Sequence, residues 1–289
     1  MIQALLDYEF IRYSFISGII AGLIAPLIGT FIVIRRLSLI ADALSHVTLG
    51  GIAFGVYLST LITFTINPLI TGIIFSILGA LGIERLRSVY KHYQELAIPI
   101  IMSLGIAVGI VFLSLANGFN QDLFGYLFGS ISAVSMNDLI LIVSIGIIVI
   151  LFIFLLYKEL FMVSFDEEYA NVMNVNRWIY IAFIIVVALV ISASMRIVGI
   201  LMVSALMTLP VASAMRITSS FRQLMILSVV FGEIAVISGL FLSYHLNISP
   251  GGTIVLVSIL ILTGTIILNK LGVSRNGGRN EEIPGQTQG

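Results

Sequence analysis

An acid and a histidine lie four residues apart inside an apolar segment of this chain. Asp42 and His46 follow the basic pair Arg35 and Arg36 in the run RRLSLIADALSH. On an α-helix this spacing places both side chains on one face, one turn apart, as two ligands of a single cation require. Carboxylate and neutral imidazole suit zinc, manganese or ferrous iron, so the donor types leave the metal open. The alternative is that Asp42 lies in water at the helix mouth while His46 donates to a neighbouring carbonyl.

Two further residues could act on the same cation. Counted from Arg222 at 1.5 Å per residue, Glu233 lies about 16 Å into its apolar run, level with His46. Because a carboxylate inside a membrane helix is costly, we predict Glu233 as a third metal ligand. The alternative is an acid paired with a serine or backbone group between packed helices. His245, at the outer end of its helix, is predicted as an entry gate, with an interfacial anchor as the alternative.

The elements that position these residues must be membrane helices. Of 289 residues, 59% are hydrophobic and 10% charged, which is more apolar than a soluble domain can bury. The absence of cysteine excludes thiolate ligands. We predict an all-α, polytopic transmembrane bundle of nine helices, or of eight if the segment 197–215, which contains Pro210, is broken or re-entrant. The helices are expected near 14–34, 40–58, 66–83, 96–116, 139–157, 178–195, 197–215, 223–244 and 253–269.

Basic residues are distributed unevenly between the two sides of such a bundle. With nine crossings, one side holds only Arg12 and Arg196. The positive-inside rule therefore predicts a multi-pass protein of the bacterial inner (plasma) membrane with a cytoplasmic C-terminus. Residues 1–269 form the transmembrane domain, and 270–289 are expected to be a disordered cytoplasmic tail. The side predicted to be cytoplasmic holds all the other basic residues: Arg35, Arg36, Arg85, Arg87, Lys91, Lys158, Arg177, Arg216, Arg222, Lys270, Arg275 and Arg279.

One cytoplasmic loop has features of a docking element. Ser164 and Glu167 have capping-box spacing, which predicts a short amphipathic helix at the membrane surface; a solvated connector is the alternative. The chain has no GxxxxGK[ST] phosphate loop, so any ATP used in transport must bind another polypeptide. It also lacks an HExxH motif, which argues against an intramembrane hydrolase.

Five segments together resemble the zinc/manganese permeases of the ABC importer superfamily. The match runs in order from about residue 15 to 268. Ala41 before the acid and the run VTLGGIA after His46 look more like the zinc-associated branch than the manganese branch. The segments are RRLSLIADALSH, LFGS at 127–130, VSFDEEYANVMNV, IVGILMVSALMTLP from Ile197, and SPGG at 249–252.

The resemblance implies a homodimeric permease rather than an enzyme. Its implied partners are a cytoplasmic ABC ATPase dimer, an extracellular metal-binding solute-binding protein, a second copy of the chain and membrane lipid, with no nucleic acid. It places Asp42 and His46 in the translocation site and makes 166–176 the coupling helix, although Asn174 stands where related loops commonly have glycine. The coupling residues would be Asp166, Glu167, Glu168, Tyr169 and Asn174.

The expected function is therefore that of the membrane-spanning subunit of an ATP-driven importer, with zinc as the first candidate cargo. Manganese or iron is the alternative cargo, and no permanently bound cofactor is expected. A self-sufficient proton-coupled carrier, using Asp42, His46 and Glu233 as a proton relay, is the alternative mechanism.

Overall fold

The computed structural model describes residues 7–61, 67–90, 92–116, 121–165, 173 and 176–270. Every regular element in these ranges is helical, so the prediction of an all-α bundle is confirmed. A 3-10 turn, Gln94–Leu96, precedes the fourth helix. The α-helices are α1 Glu9–Ile34, α2 Ser38–Leu61, α3 Pro68–Val89, α4 Ala97–Leu115, α5 Gln121–Phe128, α6 Met136–Leu155, α7 Tyr157–Phe165, α8 Arg177–Val198, α9 Ile200–Met215, α10 Phe221–Leu246 and α11 Pro250–Lys270.

Eight of the described helices are long and apolar enough to cross a bilayer: α1, α2, α3, α4, α6, α8, α10 and α11. The sequence patterns predicted all of these, but they did not predict the short helices α5 and α7. Both short helices lie in segments that connect long helices, and these segments contain no long apolar run from which a helix could be predicted. The remaining element, α9, has 16 residues and contains Pro210.

The short helix α9 runs beside α11 for the whole length of α11. The backbone of Gly251 packs directly on the carbonyl of Val198, and the Asn269 side-chain amide donates to the Arg216 carbonyl over 3.2 Å. The segment from Val198 to Arg216 and the segment from Gly251 to Asn269 therefore each cover 18 residues between the same two depths in the bundle. This geometry favours nine passages through the bundle over eight, with Pro210 accommodated inside a continuous helix.

The helices alternate between two ends of the bundle, which we call the Arg35 end and the Asp138 end. At the Arg35 end, one cavity is lined by residues of the α1–α2 turn, the end of α7 and the α9–α10 turn. At the Asp138 end, Asn67 before α3 donates to Asp138 near the start of α6, and Ser14 of α1 donates to the Ile131 carbonyl. The first described helix thus starts at the Asp138 end, and α11 finishes at the Arg35 end.

The basic residues separate between these two ends as the sequence predicted. Among the described residues, only Arg12 and Arg196 belong to the Asp138 end. The others lie at the Arg35 end: Arg35, Arg36, Arg85, Arg87, Lys158, Arg177, Arg216, Arg222 and Lys270. Such an asymmetry is the sequence signal that orients helical membrane proteins.

Small residues bring α2 very close to α4. Gly50 of α2 faces Gly105 and Gly109 of α4, and a Cβ at Gly105 would lie 2.8 Å from the Val47 Cα. Apolar burial does not drive association inside lipid, so helices there gain stability from close van der Waals contact, which glycine permits. This contact fixes the rotation of α2 and hence the direction in which its polar residues point.

We expect Gly105→Ala to destabilise the purified protein by about 1–3 kcal/mol, because the added methyl group meets backbone that cannot rotate away. Gly264→Ala in α11 is the matched control, since a Cβ there has no neighbour within 4 Å. The control should match the parent or be slightly more stable. Thermal unfolding in detergent measures both, and equal melting temperatures would contradict the close α2–α4 contact.

Candidate functional site

Asp42 and His46 lie on α2, about 6 and 12 Å along the helix from Ser38. Their neighbours Ala41, Ala43, Leu44, Ser45 and Val47 are all buried, whereas Asp42 and His46 are half-buried. Neither side chain forms a hydrogen bond or an ion pair with any residue that the structure describes. The helix therefore presents an acid and an imidazole, one turn apart, with their polar atoms available to a ligand.

The glycines of α2 show which helices pack near this pair. Gly50 faces α4, and Gly51 packs against Thr71 and Phe75 of α3. At 3.6 residues per turn, Gly51 lies on the far side of the helix from Asp42 and His46, whereas Gly50 lies one turn beyond His46 on the same stripe. Helix α3 therefore packs on the far side of α2 from the pair, and α4 contacts α2 one turn beyond His46.

Glu233 occupies a different part of the bundle. It lies on α10 against α1, where a Cβ on Gly22 would be 3.3 Å from its carboxyl carbon. Both Glu233 carboxylate oxygens are buried and have no hydrogen-bond partner among the described residues. Helix α9 packs against both α2 and α10, but those two helices make no substantial contact with each other.

Glu233 is therefore not brought next to Asp42 and His46 within one chain. The described part of the chain contains no group of three or more His, Asp or Glu residues placed to hold one metal ion. Counting residues along a helix gives the depth of a side chain in the bundle but not its lateral position. A ligand role for Glu233 stays a prediction.

His245 is exposed near the Asp138 end of α10. Its ring contacts Phe241, with centroids 4.5 Å apart, and Tyr244, with centroids 5.4 Å apart. Tyr244 lines a cavity of about 460 Å³ between the start of α1, residues 129–132 and the α10–α11 turn, but His245 does not. Its role as an entry gate stays a prediction.

Most of the predicted coupling segment lies outside the described residues, including Asp166, Glu167, Glu168, Tyr169 and Asn174, and so does the tail from 271 to 289. One local prediction is wrong. Ser164 does not cap a new helix, because it belongs to the last turn of α7 and its hydroxyl donates to the Leu160 carbonyl over 2.7 Å.

A buried ion pair at the Asp138 end was not predicted from the sequence. Asp138, 2% exposed, lies 3.3 Å from a guanidinium nitrogen of Arg196 and accepts from Asn67 over 3.0 Å. Arg196 also lies over the Tyr126 ring, 4.4 Å from its centroid. Asp138 was not among the predicted site residues. Its capping-box spacing from Ser135, which the structure contains, was the available signal that it starts a helix.

Three of the resembling segments meet at the same end. Gly129 and Gly199 both have positive φ, +77° and +84°, and their backbones pack on one another and on Ile197. Gly251 packs on the carbonyls of Phe128 and Val198. Glycine is required here because a side chain would overlap backbone and because other residues rarely adopt this φ. Segments far apart in sequence thus form one interlocked layer.

The fold defines a class of protein, a polytopic helical membrane protein, in which α2 carries an acid and an imidazole one turn apart. Residues 7–269 match the ABC 3 transport family. The chain therefore belongs to that family, and it is a transport component rather than an enzyme. The resemblance to metal-ion ABC permeases is confirmed at this level.

Individual similar proteins agree with this assignment. The chain is 36% identical to an uncharacterized membrane protein of Synechocystis, over 89% of this chain and 90% of that one. It is 34% identical to the manganese import system permease protein ScaB of Streptococcus gordonii, over 90% and 91%. It also superposes on a chain of PsaBC from Streptococcus pneumoniae, solved in complex with Fab, with a TM-score of 0.80, 30% identity and coverage of 92% and 94%.

Proposed function

We propose that this chain is the membrane-spanning subunit of an ATP-driven importer for a divalent transition metal ion. The observation that carries the proposal is the half-buried pair Asp42 and His46, which has no partner among the described residues and lies inside a membrane helix. A carboxylate and an imidazole placed in this way have the donor chemistry of a transition-metal site. Family membership supplies the link to ABC transport.

Zinc and manganese are the two candidate cargoes. The sequence around Asp42 favours zinc, through Ala41 and the run after His46. The name of the Streptococcus gordonii relative favours manganese. A site with one acid and one imidazole from each chain is weak enough to release either ion, whereas a full set of thiolates would retain zinc.

The proposed orientation places the Arg35 end in the cytoplasm, in agreement with the positive-inside rule. The C-terminus and the coupling segment 166–176 then face a separate ATPase dimer, which the absence of a phosphate loop in this chain requires. The Asp138 end faces outward, where a solute-binding protein would deliver the ion. A second copy of the chain would complete the pathway beside α2.

In this mechanism, ATP binding and hydrolysis in the partner move the coupling segments and switch the pathway between outward and inward access. Asp42 and His46 hold the ion briefly while access changes. They lie about 6 to 12 Å from the cytoplasmic start of α2, so an ion moving inward would reach them near the end of its route.

The test is uptake into proteoliposomes containing the chain with its ATPase and its solute-binding protein. We expect uptake of zinc or manganese that needs ATP and all three components, and competition between the two metals identifies the cargo. Uptake by this chain alone, driven by a proton gradient, would instead establish the secondary carrier.

A further inference from the structure

An apolar groove with a basic mouth opens on the side of the bundle. Helix α1 packs against both α6 and α10, but α6 and α10 make no substantial contact with each other, so α1 forms the floor of a cleft. A cavity of about 680 Å³ occupies this cleft, which we call the α1–α6–α10 groove. Its lining is mainly aliphatic: Leu23, Leu27, Ile150, Met225, Ile226, Val229 and Val230, with Tyr157 and Arg222.

The groove continues towards the Arg35 end into a more polar mouth of about 770 Å³. The mouth shares Leu27, Ile150, Tyr157, Arg222 and Met225 with the groove and adds Ile153, Phe154, Leu155, Lys158 and Glu159. Arg222 and Lys158 are exposed, and neither forms a hydrogen bond or ion pair with the described residues. Two unpaired cations against one acid leave the mouth with a net positive charge.

The dimensions of the groove fit one acyl chain of one leaflet. From Arg222 to Val230 the groove follows α10 for about 12 Å. One leaflet contributes about 15 Å of hydrocarbon to a bilayer. A molecule with a charged head at the mouth would therefore lay its apolar tail along the groove towards the bilayer centre.

We propose that the α1–α6–α10 groove binds an anionic phospholipid from the leaflet at the Arg35 end. Arg222, Lys158 and the Tyr157 hydroxyl face the phosphate, and the aliphatic walls contact one acyl chain. Basic pockets between helices on the cytoplasmic side are suited to anionic headgroups. The groove also lies away from α2, since neither α6 nor α10 contacts that helix substantially, so a lipid here leaves the cation pathway open.

The inference uses the proposed orientation but not the proposed cargo, so a failed uptake assay would leave it intact. The experiment is native mass spectrometry of the chain purified with its ATPase and titrated with phosphatidylglycerol or phosphatidylcholine. We expect preferential retention of phosphatidylglycerol. Arg222→Gln with Lys158→Gln should weaken that retention at least about tenfold.

The matched control is Arg216→Gln with Lys270→Gln, which removes the same charge from exposed residues at the same end but outside the groove. It should retain phosphatidylglycerol as the parent does. Val229→Trp, which fills the apolar part, should reduce retention of the lipid with the headgroup charges intact.

Three results would overturn the proposal. The first is equal retention of the two lipids by the parent, or an equal loss in both charge variants. The second is release of the ATPase by Arg222→Gln with Lys158→Gln while lipid retention is unchanged, which would show that the mouth binds protein. The third is conversion of a dimer to monomers by Val229→Trp without lipid loss, which would place a second copy in the groove.

Discussion

Asp42→Asn and His46→Gln should each lower metal uptake on the order of 100-fold while the complex assembles normally. Each change replaces a carboxylate or an imidazole by a neutral amide, which is a weaker ligand for a divalent transition metal, and even residues that only orient a metal ligand typically contribute 10- to 100-fold to affinity. Both substitutions preserve approximate size, so the packing of α2 on α3 and α4 should be retained. ATP-dependent uptake into proteoliposomes, together with binding of the radioactive ion to the detergent-purified complex, measures the effect.

Ser45→Ala is the matched control for this prediction. Ser45 lies between the two donors in sequence, but it is buried on another face and its hydroxyl donates to the Ala41 carbonyl over 2.8 Å within α2. Uptake by this variant should remain close to that of the parent. Normal uptake by Asp42→Asn and His46→Gln would remove the basis of the proposed function.

Arg196→Met should destabilise the protein by about 3–5 kcal/mol. The substitution leaves the Asp138 carboxylate buried without its cation, which is far more costly than the loss of an exposed pair. Asn67 and the Ser135 backbone would still donate to Asp138, so part of the interaction remains. The melting temperature of the purified protein in detergent provides the measurement.

Arg12→Met is the corresponding control, because Arg12 pairs with Glu9 over 3.6 Å with both side chains largely exposed. It should change stability by no more than about 1 kcal/mol. In addition, Arg196→Met combined with Asp138→Leu should recover part of the loss, since the uncompensated charge disappears. Equal effects of Arg196→Met and Arg12→Met would show that the buried pair is not important for stability.

Periodicity and length were sufficient to predict the long helices, because a single run of about twenty apolar residues satisfies its backbone hydrogen bonds inside a bilayer only as an α-helix. The same reasoning placed Asp42 and His46 on one face, since their relation is local to a single helix. It also predicted the uneven distribution of basic residues between the two ends, which depends only on counting crossings.

Relations between distant segments could not be predicted in this way. Asp138 and Arg196 are 58 residues apart, and neither residue alone indicates the other. Glu233 was expected near His46 because the two have similar depth, but depth does not determine which helices are neighbours. Ser164 shows the opposite error, in which a local spacing suggested a cap although the preceding helix continues through it.

The interlocked layer formed by Gly129, Gly199 and Gly251 restricts how the Asp138 end of the protein can move. Backbone rests on backbone at all three positions, so there is no side chain whose rotation could loosen the layer. Four helix termini must therefore move together as one rigid unit: the ends of α5 and α8 and the beginnings of α9 and α11. Access from the Asp138 end would then come from a hinge at the border of this rigid unit, with the contacts inside the unit unchanged.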